Sequence, residues 1–295
     1  MIEILRPRAF YVVLAALAAG ACGLFDNNDA PTSPSGPRDP NAPVFYTALG
    51  ASDAVGVGAS IACLPLTACE DGTGYVPVIA RRLRATTSVT LVNIGIPGAV
   101  LSPTIHDIAR RFGRDIPANF VEREMPFVPA NSTLVTIFGG GNDANALGEA
   151  IERGAAGADV RGYVDAQVRA FGSDFDRLVR GVRDRAAGAT IIVLNLPNFA
   201  MLPYASGYSA PRRQVLQAIS IGFSREANEQ RANGAIVVDL MCDGRTYEPG
   251  RFSNDGFHPN DAGYAALADK VLEVVNGAGS TPPASCPPMT TFPAL

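Results

Sequence analysis

Lysine is almost missing: Lys270 is the one copy in 295 residues. This excludes a Walker-type phosphate loop and a Ser–Lys dyad, and leaves Lys270 as the single candidate for a Schiff base. Histidine is nearly as scarce, with only His106 and His258. A zinc site built on several histidines is therefore excluded, and a histidine general base has two candidates. Positive charge is in deficit, 24 Lys and Arg against 28 Asp and Glu, for a net charge of −4. No basic face of the kind that binds nucleic acid is expected. The apolar run near the start, Phe10–Ala19, falls short of the roughly 20 residues a membrane span needs. What is present is 47% hydrophobic and only 18% charged residues, the balance of a chain that buries a packed core.

Residues 1–21 read as an export signal. Arg6 and Arg8 precede the apolar run, and Ala19-Gly20-Ala21 offers small residues for cleavage. A cut after Ala21 makes Cys22 the new N-terminus. Ala-Gly-Ala-Cys is similar to a bacterial lipobox, with Ala19 where that motif usually has leucine, so Cys22 is expected to carry lipid and attach the protein to a membrane of the cell envelope. Residues 22–43 then form a tether rich in Asn, Asp, Pro, Ser and Gly. Five cysteines are an odd number for an exported chain. With Cys22 lipidated, an even set remains, and the expected pairs are Cys63–Cys69 and Cys242–Cys286. The second would tie down the proline-rich tail, residues 277–295.

The folded part is expected over residues 44–276 as one domain. Five short runs rich in Val, Ile, Leu and Thr read as strands covered on both faces: Val44–Leu49, Val89–Asn93, Thr133–Phe138, Thr190–Leu194 and Ala235–Leu240. Helical stretches fall between and after them, at Tyr75–Arg84, Pro103–Phe112, Ala156–Arg185, Pro211–Ala232 and Asn260–Val275. Strands alternating with helices imply right-handed crossovers, a parallel five-stranded sheet and a three-layer α/β/α sandwich.

Ligands in such sheets bind at the carboxyl ends of strands, and the distinctive residues fall there. The first strand runs into Gly50-Ala51-Ser52-Asp53, the second into Asn93-Ile94-Gly95, and the third into Gly139-Gly140-Gly141-Asn142. Asp255-Gly256-Phe257-His258 follows the fifth. A serine hydroxyl needs a base to become a nucleophile, and Asp255, three residues before His258, can hold the imidazole in one tautomer. An oxyanion needs donors: the backbone N–H of Ser52, that of Gly95, where no side chain would block substrate, and the Asn142 amide.

These four blocks, in this order, resemble the SGNH (GDSL-type) hydrolase superfamily over nearly the whole folded part. The resemblance implies a flavodoxin-like fold and an ester hydrolase with Ser52 as nucleophile, His258 as base, Asp255 as its orienter, and Ser52, Gly95 and Asn142 as the oxyanion hole. It implies no metal and no organic cofactor, and a small-molecule or glycan ester as substrate. The usual Gly-Asp-Ser reads Gly-Ala-Ser here, with Ala51 in place of the acid. An acyl transferase using a glycan hydroxyl, or a binding protein that keeps the fold without turnover, are the rival readings.

Gly50–Ala54 also approaches the G-x-S-x-G elbow of α/β-hydrolases, but that fold places several strands before its nucleophile and here there is one. Gly56-Val57-Gly58-Ala59-Ser60-Ile61 lacks the third glycine of a dinucleotide fingerprint and reads as a loop. His106 follows a helix start, Ser102-Pro103, and reads as a packing or surface residue. Phe199, Met201, Leu202, Tyr204 and Tyr208, after the fourth strand, either line an acyl pocket or form a satellite cluster under a loop.

Overall fold

A computed structural model describes residues 42–295 except 68 and 280. The expected export signal, Cys22 and all but the end of the expected tether lie outside the described residues. Five strands form one sheet, β1 (Val44–Gly50), β2 (Val89–Asn93), β3 (Leu134–Phe138), β4 (Thr190–Leu194) and β5 (Ile236–Val238), in the order β2-β1-β3-β4-β5. Every pairing is parallel, with Ala48 opposite Asn93 on one side of β1 and Gly50 opposite Phe138 on the other. From β1, second in the sheet, the chain steps out to β2 at the edge, then returns across β1 to β3. The strand order therefore reverses between β1 and β3, which opens a crevice at their carboxyl ends.

Helices α1 (Ser52–Val55), α2 (Tyr75–Leu83) and α8 (Asp261–Val275) contribute to the core on one face of the sheet. The other face is covered by α3 (Pro103–Arg111), α4 (Phe120–Arg123), α5 (Gly141–Glu152), α6 (Val160–Arg185) and α7 (Ala210–Glu229). Central strands buried on both faces account for the mostly apolar runs of β3 and β4. Among the described residues no helix is long and apolar enough to cross a membrane.

Several boundaries differ from the sequence expectation, each for a local reason. Helix α6 begins at Val160 because Gly157 takes φ +57° and the Asp159 side chain caps the helix on the N–H of Gly162. Strand β5 stops at Val238 because Asn195 takes over the ladder: its Oδ1 accepts the N–H groups of Leu240 and Met241. Helix α5 was not expected at all. The glycine run at 139–141 masks its start and Gly148 dilutes its pattern, yet Ala144, Ala146, Leu147 and Ala150 are buried on one side.

Cys63 is bonded to Cys69 and Cys242 to Cys286. The tail beyond Cys286 packs onto the body. The Asn198 amide donates to the Pro288 carbonyl at 2.7 Å, and Gln217 pairs with the backbone of Phe292 in both directions, at 2.7 and 3.0 Å.

Candidate active site

The first turn after β1 places Ser52 at the start of α1, where its N–H has no hydrogen-bond partner among the described residues. Two glycines allow that placement. A Cβ on Gly50 would stand 2.8 Å from the Ala54 Cβ, and one on Gly95 only 2.6 Å from the same atom. Helix α1 thus lies across the ends of β1 and β2, and only glycine leaves room beneath it. The sequence suggested that Gly95 keeps a side chain away from substrate. Instead its missing Cβ faces Ala54 and the Gly50 carbonyl, and its N–H lies 3.2 Å from Asn93 Oδ1.

Ser52, His258 and Asp255 form one hydrogen-bonded chain. The Ser52 Oγ lies 2.8 Å from His258 Nε2, and His258 Nδ1 lies 2.5 Å from Asp255 Oδ2. The loop before α8 holds Asp255 in place: its Oδ1 accepts the N–H groups of Phe257 and His258 and the Ser253 hydroxyl. Partial burial works to raise the Asp255 pKa, but the bonds from His258, Phe257 and Ser253 outweigh it and hold the carboxyl down to about 2. An ionised carboxylate can only accept, so Nδ1 of the imidazole carries the proton. In the neutral ring Nε2 is then the acceptor, facing the Ser52 hydroxyl.

Asn142 sits in the first turn of α5, positioned by Gly140 at φ +111°. The left-handed turn at Gly140 redirects the chain from β3 into the helix within two residues. One Asn142 amide N–H donates to the Ala99 carbonyl at 2.9 Å, and the other has no partner among the described residues. The adjacent Asp143 is fully buried and accepts the N–H groups of Leu101 and Ser102 at 2.8 and 2.9 Å. Neighbouring side chains of α5 thereby clamp the loop after β2.

Ser52 and Asn142 open onto a cavity of about 190 Å³. Its wall includes Phe138, Leu196, Phe199, Leu202, Phe252 and Phe257. Of the aromatic and apolar residues singled out after the fourth strand, Phe199 and Leu202 line this cavity and Met201, Tyr204 and Tyr208 do not. Tyr204 turns its hydroxyl to Asn145 and packs against Phe257, whose ring meets the His258 ring edge-on. Tyr208 lies under the Arg212 guanidinium. Phe252 and Phe257, unmarked in the sequence reading, supply apolar wall instead, and Phe257 between Asp255 and His258 was the available signal. His106 lies apart from the site, with Nδ1 3.3 Å from Asn119 Nδ2. Among the described residues no three His, Cys, Asp or Glu side chains are grouped so as to hold a metal ion.

Solved structures with the same fold include a lipase from a goat rumen metagenome, 22% identical, covering 81% of this chain and 100% of its own, at a TM-score of 0.54. An extracellular lipase from Streptomyces rimosus is 19% identical, covers 78% of this chain and 99% of its own, and has a TM-score of 0.52. An acetyl xylan esterase from Geobacillus stearothermophilus is 16% identical, covers 83% of this chain and 100% of its own, and has a TM-score of 0.53. No curated protein matches the chain in sequence. At these identities the likeness is one of fold. The model of the GDSL-like Lipase/Acylhydrolase family matches residues 48–266, the stretch from the middle of β1 into α8 that holds all four strand-end blocks; the chain belongs to that family and is an ester-bond hydrolase.

Proposed function

We propose that the protein is a serine esterase of the bacterial cell envelope that works through an acyl-enzyme. The observation that carries this reading is the Ser52–His258–Asp255 chain, with spacings of 2.8 and 2.5 Å, whose serine lines a mostly apolar cavity. Ser52 Oγ attacks the ester carbonyl while its proton passes to His258 Nε2. The imidazolium is stabilised by the ionised Asp255, which stays a carboxylate throughout. The carbonyl oxygen, now carrying negative charge, is met by the Ser52 N–H, the free N–H of Asn142 and the N–H of Gly95. For the last of these, the 3.2 Å contact with Asn93 is long enough to exchange for a charged acceptor. The tetrahedral intermediate collapses, the alcohol departs with the proton from Nε2, and water repeats the sequence to free the acid and Ser52.

The cavity wall favours an apolar acyl group longer than acetyl, because an acetyl group would leave most of that surface uncovered. Placement in the envelope is supported by the disulfides, since such bonds persist in oxidising compartments, and by the lipobox-like run that ends at Cys22. Two measurements test the proposal. A fluorophosphonate probe should label Ser52, and Ser52→Ala should lose both labelling and hydrolysis of p-nitrophenyl esters, whose rates in the wild type should rise from acetate to hexanoate. Retained hydrolysis in Ser52→Ala refutes the serine mechanism, and rates falling beyond acetate refute the acyl preference. Mass spectrometry of the mature N-terminus should find lipid on Cys22, and another, unmodified terminus refutes the anchor.

A further inference from the structure

Glu124 follows α4 and has no solvent exposure. Its Oε2 accepts the N–H of Gly50 at 2.9 Å. Its other oxygen, Oε1, is buried without a hydrogen-bond partner. A carboxyl buried with one oxygen unmatched is costly, so its place in the fold calls for an account.

The account lies in what the carboxyl replaces. Beside β1, the N–H of Ile94 donates to Ala48 and that of Ile96 to Gly50, both at 3.0 Å. A regular parallel ladder would next have the Gly50 N–H donate to a carbonyl of the β2 chain between those two points. Glu124 Oε2 takes that bond instead. The carboxyl therefore takes the place of a β2-chain carbonyl at the end of β1, holding Gly50, whose own carbonyl accepts the N–H of Ile96 from the β2 chain. Gly50 lies two residues before Ser52, and Ile96 directly follows Gly95.

We propose that Glu124 is a positioning residue for the oxyanion hole: it sets the spacing between the ends of β1 and β2, so that the N–H groups of Ser52 and Gly95 converge on one point. This rests on the roles given above to Ser52 and Gly95. The bond to Gly50 needs an acceptor oxygen at that place and does not need a charge. Glutamine supplies such an oxygen, aspartate withdraws it by one methylene, and alanine removes it.

The test measures kcat and KM of the full chain on a soluble p-nitrophenyl ester, well below each variant's melting temperature. Glu124→Ala and Glu124→Asp should lower kcat about 10–100-fold with KM changed less than about threefold, the pattern of a loss confined to the transition state. Glu124→Gln should stay within about threefold of wild-type kcat. Fluorophosphonate labelling should slow in the same order, since that reagent also places an oxygen in the hole. If Glu124→Ala does not fold, Glu124→Asp decides alone. A folded Glu124→Asp or Glu124→Ala with near wild-type kcat overturns the proposal, and so does a Glu124→Gln as slow as Glu124→Ala. The Ser52→Ala control separates the two readings: hydrolysis surviving in it refutes the serine mechanism itself, whatever Glu124 does.

Discussion

Asn142 has two amide N–H groups and a fixed use for one of them, the Ala99 carbonyl. That bond holds the amide still and leaves the second donor aimed by the first. Its expected gain comes only when the substrate oxygen becomes negative, because a neutral ester oxygen is a weak acceptor. Asn142→Ala should therefore lower kcat about 10²–10³-fold, roughly 3–4 kcal/mol, with KM nearly unchanged; steady-state kinetics showing kcat within about threefold of wild type refute the role. Asp255→Asn should cost more, about 10⁴-fold in kcat. An asparagine can turn an N–H toward Nδ1, which would move the ring proton to Nε2 and point it at the Ser52 hydroxyl. His106→Ala, remote from this chain, should leave both constants unaltered within error. These residues are legible in the sequence because each belongs to a short strand-end block whose chemistry is local. Glu124, Phe252 and the true orientation of Tyr204 and Tyr208 are not. Their positions depend on which loops meet in space, and no spacing along the chain encodes that.

Elements show the same division. Strands β1, β3 and β4 stand out because a parallel strand covered on both faces must be largely apolar along its length, whatever its neighbours are. Helix α5 escaped because a helix that starts on glycines, to make a sharp exit from β3, has its entry residues chosen by the turn and not by helix propensity. The end of β5 escaped because a side chain, Asn195, replaces a strand. The tail is the element with the most testable consequence. Cys242–Cys286 closes a loop with a sequence separation of 44, and the segment beyond it props Asn198 and Gln217, next to the cavity residues Pro197 and Phe199. In the chain-entropy model such a crosslink is worth about 4 kcal/mol. Replacing both cysteines with serine should lower stability by about 2–4 kcal/mol in urea unfolding, and should raise KM for longer acyl esters more than for acetate. Cys63–Cys69, with a separation of 6, should contribute about 2 kcal/mol and leave acyl selectivity alone. A tail-bridge variant as stable and as selective as wild type would mean that Asn198 and Gln217 hold their loop without it.

The molecule as a whole carries two opposed sets of carboxyls, and together they set its response to pH. Burial pushes Asp53 and Glu124 upward, and it pushes Asp143 up to about 7 despite the bonds from Leu101 and Ser102. Against the effect of burial, hydrogen bonds hold Asp255 down to about 2, and Arg245 and Lys270 hold Asp243 below the usual carboxylate range. The signs differ. A carboxyl whose folded pKa is raised binds protons more tightly in the folded state, so its favourable contribution is complete below about pH 4 and is lost as pH rises through its folded value, about 7 for Asp143. A carboxyl whose folded pKa is depressed contributes above about pH 4 and is lost as pH falls toward its folded value, about 2 for Asp255. The two windows meet near pH 4. Stability should therefore increase as pH falls from about 7, peak at about pH 4–5, and drop below that. At about 2–4 °C per kcal/mol for a domain of this size, calorimetric melts from pH 3 to pH 8 resolve such a curve. Asp143→Asn removes the titrating group while keeping its volume, so its melting temperature should be lower than wild type at pH 5 and the gap should narrow by pH 8. A wild-type melting temperature that climbs from pH 5 to pH 8 in parallel with the variant would mean that Asp143 is ionised throughout that range. The clamp on the loop after β2 would then hold as a charged group, and Asp143 would add to the loss of stability on the acid side together with Asp255 and Asp243.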